Sequence, residues 1–292
     1  MKILVTGATG FVGKYLIQKL KNFDIRIIVR NINTNYPKDT QIVYSEEHLD
    51  LFEKNVKSYN PNIVIHLASY LTSSDDISSI RNIIDSNILF PSILLESLKS
   101  TDLELFINTG SFAEYYYNDG IENPAYFYSA SKIAIKPIIK YFKNIQGFKT
   151  INIIPYTIYG GKSKSKKVID FIIESIDNKF PLDMTNGEQI LDFIHIDDVV
   201  DFYIHCINNI NLLKDEENYF IGTGKGTSIK ELSNIIENLT NRKTNINWGA
   251  KKYRTLDIMR AIAPIYKLER ELNWKPKISL ENGLKKILEE EK

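Results

Sequence analysis

Short apolar runs alternate with amphipathic stretches through the first half of the chain. The runs are rich in Ile and Val, which is typical of strands buried on both faces of a parallel sheet. The stretches between them repeat their apolar positions every three to four residues, as helices that pack on a sheet do. We therefore expect an α/β fold with a doubly wound parallel sheet. The pattern predicts strands at 3–6, 25–29, 41–44, 63–67, 105–109 and 150–155, and helices at 13–21, 49–59, 80–100 and 129–145.

The first strand runs directly into three glycines, Gly7, Gly10 and Gly13, at the start of the first helix. The first glycine permits a tight strand-to-helix turn, the second lets the backbone approach a phosphate, and the third lets helix and strand pack closely. The N–H groups and the dipole of the helix N-terminus then face an anion. This spacing predicts a site for the pyrophosphate of a dinucleotide cofactor.

The regular alternation ends near residue 158. A polar, basic segment at 160–167 follows, and helical periodicity returns at 168–178, 228–239 and 264–272 without a matching series of strands. Ligands bind beside the carboxyl edge of such sheets. We therefore expect a Rossmann cofactor domain over 1–158, with 191–213 returning to it, and a smaller C-terminal substrate-binding lobe over 159–292.

Composition and charge narrow the choice of partners. The 292 residues include 37 Lys and Arg against 36 Asp and Glu, so a net charge of +1 gives no electrostatic case for nucleic acid or an anionic membrane. No uncharged apolar run approaches the ~18 residues of a membrane span, and the first strand is too short for a secretory signal. The single cysteine, Cys206, excludes an internal disulfide and is expected to be buried. We expect a cytoplasmic protein that binds a small molecule.

A tyrosine and a lysine four residues apart, Tyr128 and Lys132, open the helix that follows the fifth strand. This spacing puts both side chains on one helical face. A nearby ammonium group favours the phenolate, so we expect Lys132 to lower the pKa of Tyr128, which can then exchange a proton with a carbonyl or an alcohol. Ser111, just after the fifth strand, is expected to face the same cleft and to hydrogen-bond the reacting oxygen.

With these motifs the chain resembles the extended short-chain dehydrogenase/reductases, and among them the branch that acts on nucleotide sugars. The resemblance implies a nicotinamide cofactor and a nucleotide diphosphate sugar as substrate. Members often form homodimers, and the resemblance extends that expectation to this chain. The resemblance covers nearly the whole chain. The residues that carry it are 6–13, 66–68, Asn87, 128–132, 159–160, 192–199, 220–232 and 253–254.

The resemblance also implies a role for each site residue. Tyr128 would be the proton donor or acceptor, Lys132 would hold the nicotinamide ribose and tune Tyr128, and Ser111 would polarise the carbonyl. No set of metal ligands is expected. The implied cofactor-binding residues are Gly7, Thr9, Gly10, Phe11, Val12, Gly13, Arg30, Leu67, Ala68, Tyr128, Lys132 and Pro155. The implied substrate-binding residues are Ser69, Thr109, Ser111, Thr157 and Arg254, with Arg254 on the diphosphate. Lysines of the 162–167 loop either assist Arg254 or form a solvated loop.

The residue after the second strand bears on the choice of cofactor. Members of the family that use NAD carry Asp or Glu there to hold the adenosine ribose, whereas this chain has Arg30. An acid would repel a 2′-phosphate, and a guanidinium group can pair with it. We therefore expect NADP(H) in preference to NAD(H), with Arg30 as a solvated strand end left open as the alternative.

Two positions after Ser111 bear on the reaction. The sugar-nucleotide 4,6-dehydratases of the family carry an Asp-Glu pair there, whereas this chain has Phe112 and Ala113, so dehydration is not expected. Glu114 comes one residue later and lies on the other face if the strand continues. The segment 248–259 resembles that of reductases that make abequose-, paratose- or fucose-type deoxysugars.

These features lead to one expected reaction and two alternatives. We expect the NADPH-dependent reduction of the C4 keto group of a nucleotide-linked 4-keto-6-deoxyhexose, carried as a CDP- or dTDP-sugar, in deoxysugar biosynthesis. A nucleotide-sugar 4-epimerase with tightly bound NAD stays open. So does a non-catalytic regulator that senses NADP.

Four further positions either depart from the family pattern or carry a histidine. Leu191 stands where many members have Arg, and Thr157 where many have Asn, so the usual sugar and phosphate contacts would differ. His66 ends a buried strand and is expected to pack or hydrogen-bond beside the cofactor. His195 is expected to be structural rather than catalytic.

Overall fold

The computed structural model describes residues 1–163 and 165–290, which form two compact units. Lys164 of the basic loop and residues 291 and 292 lie outside the described residues. The chain passes between the units several times, and its last return to the first unit begins at Val200. The roles predicted for the units, cofactor binding and sugar binding, stay predictions. The first unit comprises Met1–Glu114, Tyr126–Ile154 and Val200–Tyr219, and the second comprises Tyr115–Ala125, Pro155–Val199 and residues 220–290.

The elements follow the predicted alternation of strands and helices in the first half of the chain. The strands are β1 (Lys2–Thr6), β2 (Asp24–Val29), β3 (Gln41–Val43), β4 (Ile63–His66), β5 (Leu105–Thr109), β6 (Lys149–Pro155), β7 (Thr157–Tyr159), β8 (Leu182–Met184), β9 (Ile190–His195), β10 (Glu217–Ile221), β11 (Gly226–Ser228), β12 (Ile246–Trp248) and β13 (Arg260–Ala261). The helices are α1 (Phe11–Lys19), α2 (Leu49–Tyr59), α3 (Ile77–Ile84), α4 (Phe90–Ser97), α5 (Phe127–Gln146), α6 (Val168–Ser175), α7 (Ile196–Asn208), α8 (Ile229–Thr240), α9 (Tyr266–Leu272) and α10 (Leu280–Glu290). Within 1–163 and 165–290, no helix is both long and apolar enough to cross a membrane.

The central sheet has the strand order β10-β6-β5-β4-β1-β2-β3. The pairs from β6 through β3 are parallel, which confirms the predicted doubly wound α/β fold. The order reverses between β1 and β4, and in open sheets of this kind ligands bind outside the carboxyl ends of the strands at such a switch point. The glycine turn after β1 and the segment after β4 therefore meet where a cofactor is expected.

The predicted strands are buried on both faces because helices cover both sides of the sheet. Three consecutive residues in each of β1, β4 and β5 have no exposed surface, namely 3–5, 63–65 and 105–107. On one side a single apolar cluster includes Phe52, Leu94 and Phe142 from three helices. Burial of this kind contributes roughly 1.5–3 kcal/mol for each large side chain.

The helix predicted over 80–100 divides in the structure. Helix α3 passes into a π-helical turn, Asp85–Leu89, before α4 begins. Pro91, in the first turn of α4, has no N–H to donate, and its ring would clash with the Asn87 carbonyl in a regular α-helix. The wider π turn avoids that clash and directs the Asn87 side chain into the interior, where it is 2% exposed.

The second unit has its own small sheets and its own core. Strand β9 pairs with β7, β11 and β13, and β12 pairs with β8. The core combines Tyr159 and Phe193 with apolar side chains of α6, α8 and α10. A Cβ atom at Gly283 would lie 2.0 Å from the Tyr159 hydroxyl oxygen, so only glycine allows α10 to pack this closely. The helices predicted at 168–178, 228–239 and 264–272 correspond to α6, α8 and α9.

Candidate active site

The three glycines form a turn in which two positions are closed by protein and one is open. Gly7 has a φ of +69°, and a Cβ atom there would lie 2.6 Å from the Ala68 nitrogen. At Gly13 it would lie 2.2 Å from the Gly7 carbonyl oxygen. At Gly10 the nearest described atom would be the Gly7 oxygen, at 3.1 Å. Packing therefore accounts for Gly7 and Gly13, whereas the free space beside Gly10 fits a group from outside the chain.

The start of α1 suits a negatively charged group. Gly10 is the N-cap, and no acidic residue stands in the first turn of the helix. Thr9 and Gly10 are exposed, and Phe11 and Val12 are half-buried. The N-terminal end of the helix dipole therefore points to the open side of the turn. These residues fit the pyrophosphate of a dinucleotide.

The loop after β2 is built around the Gln41 side chain. Its amide oxygen accepts the Asn33 N–H at 2.8 Å, and its amide nitrogen donates to the carbonyl oxygens of Asn33 and Tyr36, each at 2.9 Å. Tyr36 in turn donates its hydroxyl hydrogen to the Ala8 carbonyl oxygen at 3.1 Å. The loop that follows the exposed Arg30 is thereby anchored to the glycine turn, a contact that the sequence did not reveal.

Tyr128 and Lys132 lie together at the start of α5 and are both buried, at 7% and 3% exposure. The Lys132 ammonium nitrogen is 5.9 Å from the centre of the Tyr128 ring. The Tyr128 hydroxyl is hydrogen-bonded to Ser69, which follows β4. The structure thus brings three of the predicted site residues together.

The predicted lowering of the Tyr128 pKa is wrong in this structure. Burial raises the pKa of Tyr128 to about 12. The hydrogen bond with Ser69 opposes this rise, and the Glu114 carboxylate adds to it. Burial also lowers the pKa of Lys132 to about 8, partly offset by Glu114. The free-energy cost of removing a phenolate from water exceeds the stabilisation that the Lys132 ammonium group provides at this distance. Tyr128 is therefore a protonated phenol at neutral pH.

Ser111 begins a tight turn, and the strand does not continue as expected. After β5 ends at Thr109, the chain enters a 3₁₀ turn over Phe112–Glu114. The Glu114 carboxylate consequently does not lie on the other face of a strand, because it returns to accept the Ser111 N–H at 2.6 Å. Glu114 is the main residue near the site whose position the sequence did not predict.

Thr109 and a tyrosine from α7 share a hydrogen bond. The Thr109 and Tyr203 hydroxyl oxygens are 2.7 Å apart, and Tyr203 is 1% exposed. Tyr203 belongs to the segment that returns to the first unit. Thr109 therefore has a protein partner in this structure, and its contact with a substrate stays a prediction.

His66 is neutral and hydrogen-bonded. Burial, together with the positive charge of Lys132, lowers the pKa of His66 to about 3. Thr6 Oγ1 lies 2.8 Å from His66 Nδ1 and accepts the Ala68 N–H at 3.0 Å. The single Thr6 hydroxyl hydrogen is therefore available to Nδ1, which leaves the ring proton on Nε2. This agrees with the expected packing and hydrogen-bonding role.

Asn87, a residue of the family motifs, joins the segment after β4 to α5. Its Oδ1 atom accepts the Tyr70 N–H at 2.8 Å, and its Nδ2 atom donates to Ser131 Oγ at 2.9 Å. The π-helical turn is what directs this side chain inward. Asn87 therefore helps to hold Ser69, the neighbour of Tyr70, beside Tyr128.

The remaining predicted ligands belong to the second unit. Pro155 ends β6 and is half-buried. Thr157 Oγ1 is a buried atom with no hydrogen-bond partner in the part of the chain that the structure describes. A buried hydroxyl group in that state is suited to a polar group of a ligand. Leu191, in place of the Arg of many members, packs against the apolar core of the unit.

The charged residues predicted for the diphosphate are only partly available. Arg254 is exposed in the loop before β13. Lys166 forms an ion pair with Glu174 at 2.8 Å, and Lys167 donates to the Ile158 carbonyl oxygen at 2.8 Å. These two lysines thus have partners within the unit, which leaves Arg254 as the stronger candidate for the diphosphate.

His195 is buried and contacts its neighbours in ways that suit a structural role. Its ring makes an edge contact with Tyr159, with centroids 5.3 Å apart, and Nδ1 accepts the Asp197 N–H at 3.2 Å. A Cβ atom at Gly160 would lie 2.4 Å from His195 Nε2. Cys206 is fully buried, as expected, and burial raises the pKa of its thiol.

Comparisons with known proteins agree with this arrangement. Residues 3–222 match the NAD dependent epimerase/dehydratase family. CDP-abequose synthase from Salmonella muenchen is 30% identical over 98% of this chain and 97% of its own length. dTDP-4-dehydro-6-deoxyglucose reductase from Escherichia coli is 24% identical over 98% of this chain and 96% of its own length. The crystal structure of UDP-glucose 4-epimerase from Thermotoga maritima with UDP-glucose has the same fold, with a TM-score of 0.83, 24% identity and coverage of 99% and 98% of the two chains.

Proposed function

Because the chain belongs to the NAD dependent epimerase/dehydratase family and to its nucleotide-sugar branch, we propose that it is a C4-ketoreductase. The substrate would be a nucleotide-linked 4-keto-6-deoxyhexose, and NADPH would supply the hydride. The proposal draws on relatives that bear the names of a deoxysugar synthase and a 4-dehydro-6-deoxysugar reductase and that align along nearly the whole chain.

The observation that carries the proposal is the protonated, buried Tyr128. Reduction of a ketone adds hydride to carbon and leaves an alkoxide, which must receive a proton. A phenol with a pKa of about 12 holds its proton at neutral pH and gives it up to a stronger base such as an alkoxide. Solvent then restores the proton to Tyr128. An oxidation would need the phenolate instead, which burial disfavours here.

The other residues of the first unit complete the step. Ser111 Oγ accepts the Ala113 N–H at 3.2 Å, so its own hydrogen remains available to hold the carbonyl oxygen. Lys132, one helical turn after Tyr128, would hold the nicotinamide ribose in this proposal. Phe112 and Ala113 offer no acid or base for the elimination of water.

The test is NADPH consumption with a panel of CDP-, dTDP- and GDP-linked 4-keto-6-deoxyhexoses, with the product configuration at C4 assigned by NMR. We expect one mole of NADPH to be oxidised for each mole of sugar reduced, with at least one nucleotide strongly preferred. Purified protein that holds stoichiometric, non-exchanging NAD and interconverts C4 epimers would be an epimerase. An absence of turnover with the whole panel, despite NADPH binding, would favour a regulator.

Arg30 is proposed to select NADPH over NADH. We expect Arg30→Ala to weaken NADPH binding by about 10–100-fold, because a charge-assisted contact with the 2′-phosphate is lost. NADH affinity should change little. Both dissociation constants can be measured by cofactor fluorescence, with Arg81→Ala, an exposed residue of α3, as the matched control. Equal losses for NADPH and NADH would contradict this role.

A further inference from the structure

Glu114 is a fully buried carboxylate beside the candidate catalytic residues. It has 0% exposure, and burial raises its pKa while Lys136 opposes the rise. A buried carboxylate is costly unless both of its oxygens find donors. A Cβ atom at Gly110 would lie 2.5 Å from Glu114 Oε1, so the glycine leaves the space that the carboxylate occupies. The buried position of the Glu114 carboxylate therefore requires glycine at position 110.

One carboxylate oxygen holds the turn that carries Ser111. Oε1 accepts the Ser111 N–H at 2.6 Å, and the Glu114 N–H donates to the Ser111 carbonyl oxygen at 3.0 Å. The Ala113 N–H occupies one lone pair of Ser111 Oγ. The backbone and the hydroxyl group of Ser111 are thus both fixed by the residues that follow it.

The other carboxylate oxygen faces the helix that carries Tyr128 and Lys132. Oε2 forms an ion pair with Lys136 Nζ at 2.5 Å, and the Lys136 side chain is only 14% exposed. Positions 128, 132 and 136 are four residues apart and share one face of α5. Glu114 therefore connects the Ser111 turn to the same face of the helix.

We propose that Glu114 is a positioning residue, which sets Ser111 at the end of β5 and, through Lys136, fixes that turn against the Tyr128–Lys132 face of α5. The inference rests on the proposed function for its kinetic consequence, whereas the geometry is independent of it. Glu114 does not react itself. It acts through the two contacts of its carboxylate and through its negative charge.

The negative charge of Glu114 also changes the pKa values of neighbouring groups, an effect separate from its hydrogen bond and ion pair. In the described part of the chain, the titratable groups that interact with Lys132 or Tyr128 are Glu114 from the turn, His66 from β4 and Tyr203 from α7. His66 is neutral, and Tyr203 keeps its proton because burial raises its pKa. Glu114 is paired with Lys136 as a carboxylate, and its negative charge raises the pKa values of Lys132 and Tyr128.

The variant Glu114→Gln separates these effects. An amide supplies one acceptor where the carboxylate supplies two, so one contact is lost, and we expect kcat to fall about tenfold or more with a smaller change in KM. Without the charge the pKa of Lys132 should fall below its value of about 8, so the high-pH limb of the kcat–pH profile should move to lower pH. The control Lys140→Gln removes an exposed charge from the same helix. It should leave both kcat and the high-pH limb of the kcat–pH profile unchanged.

A second measurement does not require turnover. In protein labelled at the lysine side chains, the NMR signal that titrates near pH 8 and disappears in Lys132→Arg reports on Lys132. We expect this signal to titrate at lower pH in Glu114→Gln. If Glu114→Gln does not fold, Lys136→Met, which removes the partner of the carboxylate, is compared in the same two measurements. Lys136→Met should lower kcat because the ion pair that joins Glu114 to α5 is lost.

The outcomes distinguish the two proposals. A shifted NMR titration together with a shifted kcat limb supports the positioning role. An unshifted titration, even with a lower kcat, overturns it, because a structural defect alone would give that result. Wild-type protein that turns over no sugar of the panel rejects the proposed function, and the NMR titration then still decides the role of Glu114.

Discussion

Tyr128→Phe is expected to lower NADPH-dependent reduction by about 10²- to 10⁴-fold, because it removes the proton donor and leaves the ring in place. The side chain is 7% exposed and the ring keeps its packing, so the fold should be retained. The lost hydrogen bond with Ser69 should cost about 1 kcal/mol of folding free energy, since Ser69 is exposed and can bond to water. Single-turnover oxidation of NADPH measures the rate.

The matched control for this variant is Tyr141→Phe. Tyr141 lies on the same helix, is 60% exposed and loses the same atom, so its rate should equal that of the wild type. Cofactor fluorescence should give nearly unchanged NADPH affinity for Tyr128→Phe, which places the loss in the chemical step. A rate within tenfold of the wild type, with normal affinity, would contradict Tyr128 as the donor.

Gly10→Ala and Gly13→Ala are both expected to weaken NADPH binding, but they should differ in how much folding stability they lose. At Gly13 the new methyl group would lie 2.2 Å from the Gly7 oxygen and 2.6 Å from the Ala8 Cα atom, so backbone must move. We expect a loss of about 1–3 kcal/mol of stability together with the loss of NADPH binding. At Gly10 the nearest described atom is 3.1 Å away, and the φ of −76° suits alanine.

Gly10→Ala should therefore lose less stability than Gly13→Ala and yet lose NADPH affinity by about 100-fold. The methyl group would stand where the pyrophosphate approaches the N–H groups of α1, and each charge-assisted hydrogen bond is worth about 1.5–3 kcal/mol. Thermal unfolding with and without NADPH checks both statements, because at a fixed NADPH concentration the rise in Tm grows as the Kd for the cofactor falls. If Gly10→Ala is stabilised by NADPH as much as the wild type, the open side of the turn does not hold the cofactor.

The sheet could be predicted from the sequence because its signals are local. Runs of β-branched residues mark strands buried on both faces, and the glycines mark the turn after the first of them. Strand β10 was not predicted, since its run over 217–221 is short and follows a helix of the return segment. The division of the helix predicted at 80–100 follows from Pro91, which is visible in the sequence, but the π turn that accommodates it is not.

The sequence by itself determined the strand series, the open glycine turn, the adjacency of Tyr128 and Lys132 on one helical face, and the absence of carboxylates at 112 and 113. Only the tertiary structure decided the protonation state of Tyr128, because burial outweighs a neighbouring charge and depends on the whole fold. It also decided the place of Glu114. A carboxylate that follows a strand can face either side, and here the 3₁₀ turn and the space at Gly110 bring it back to Ser111 and Lys136.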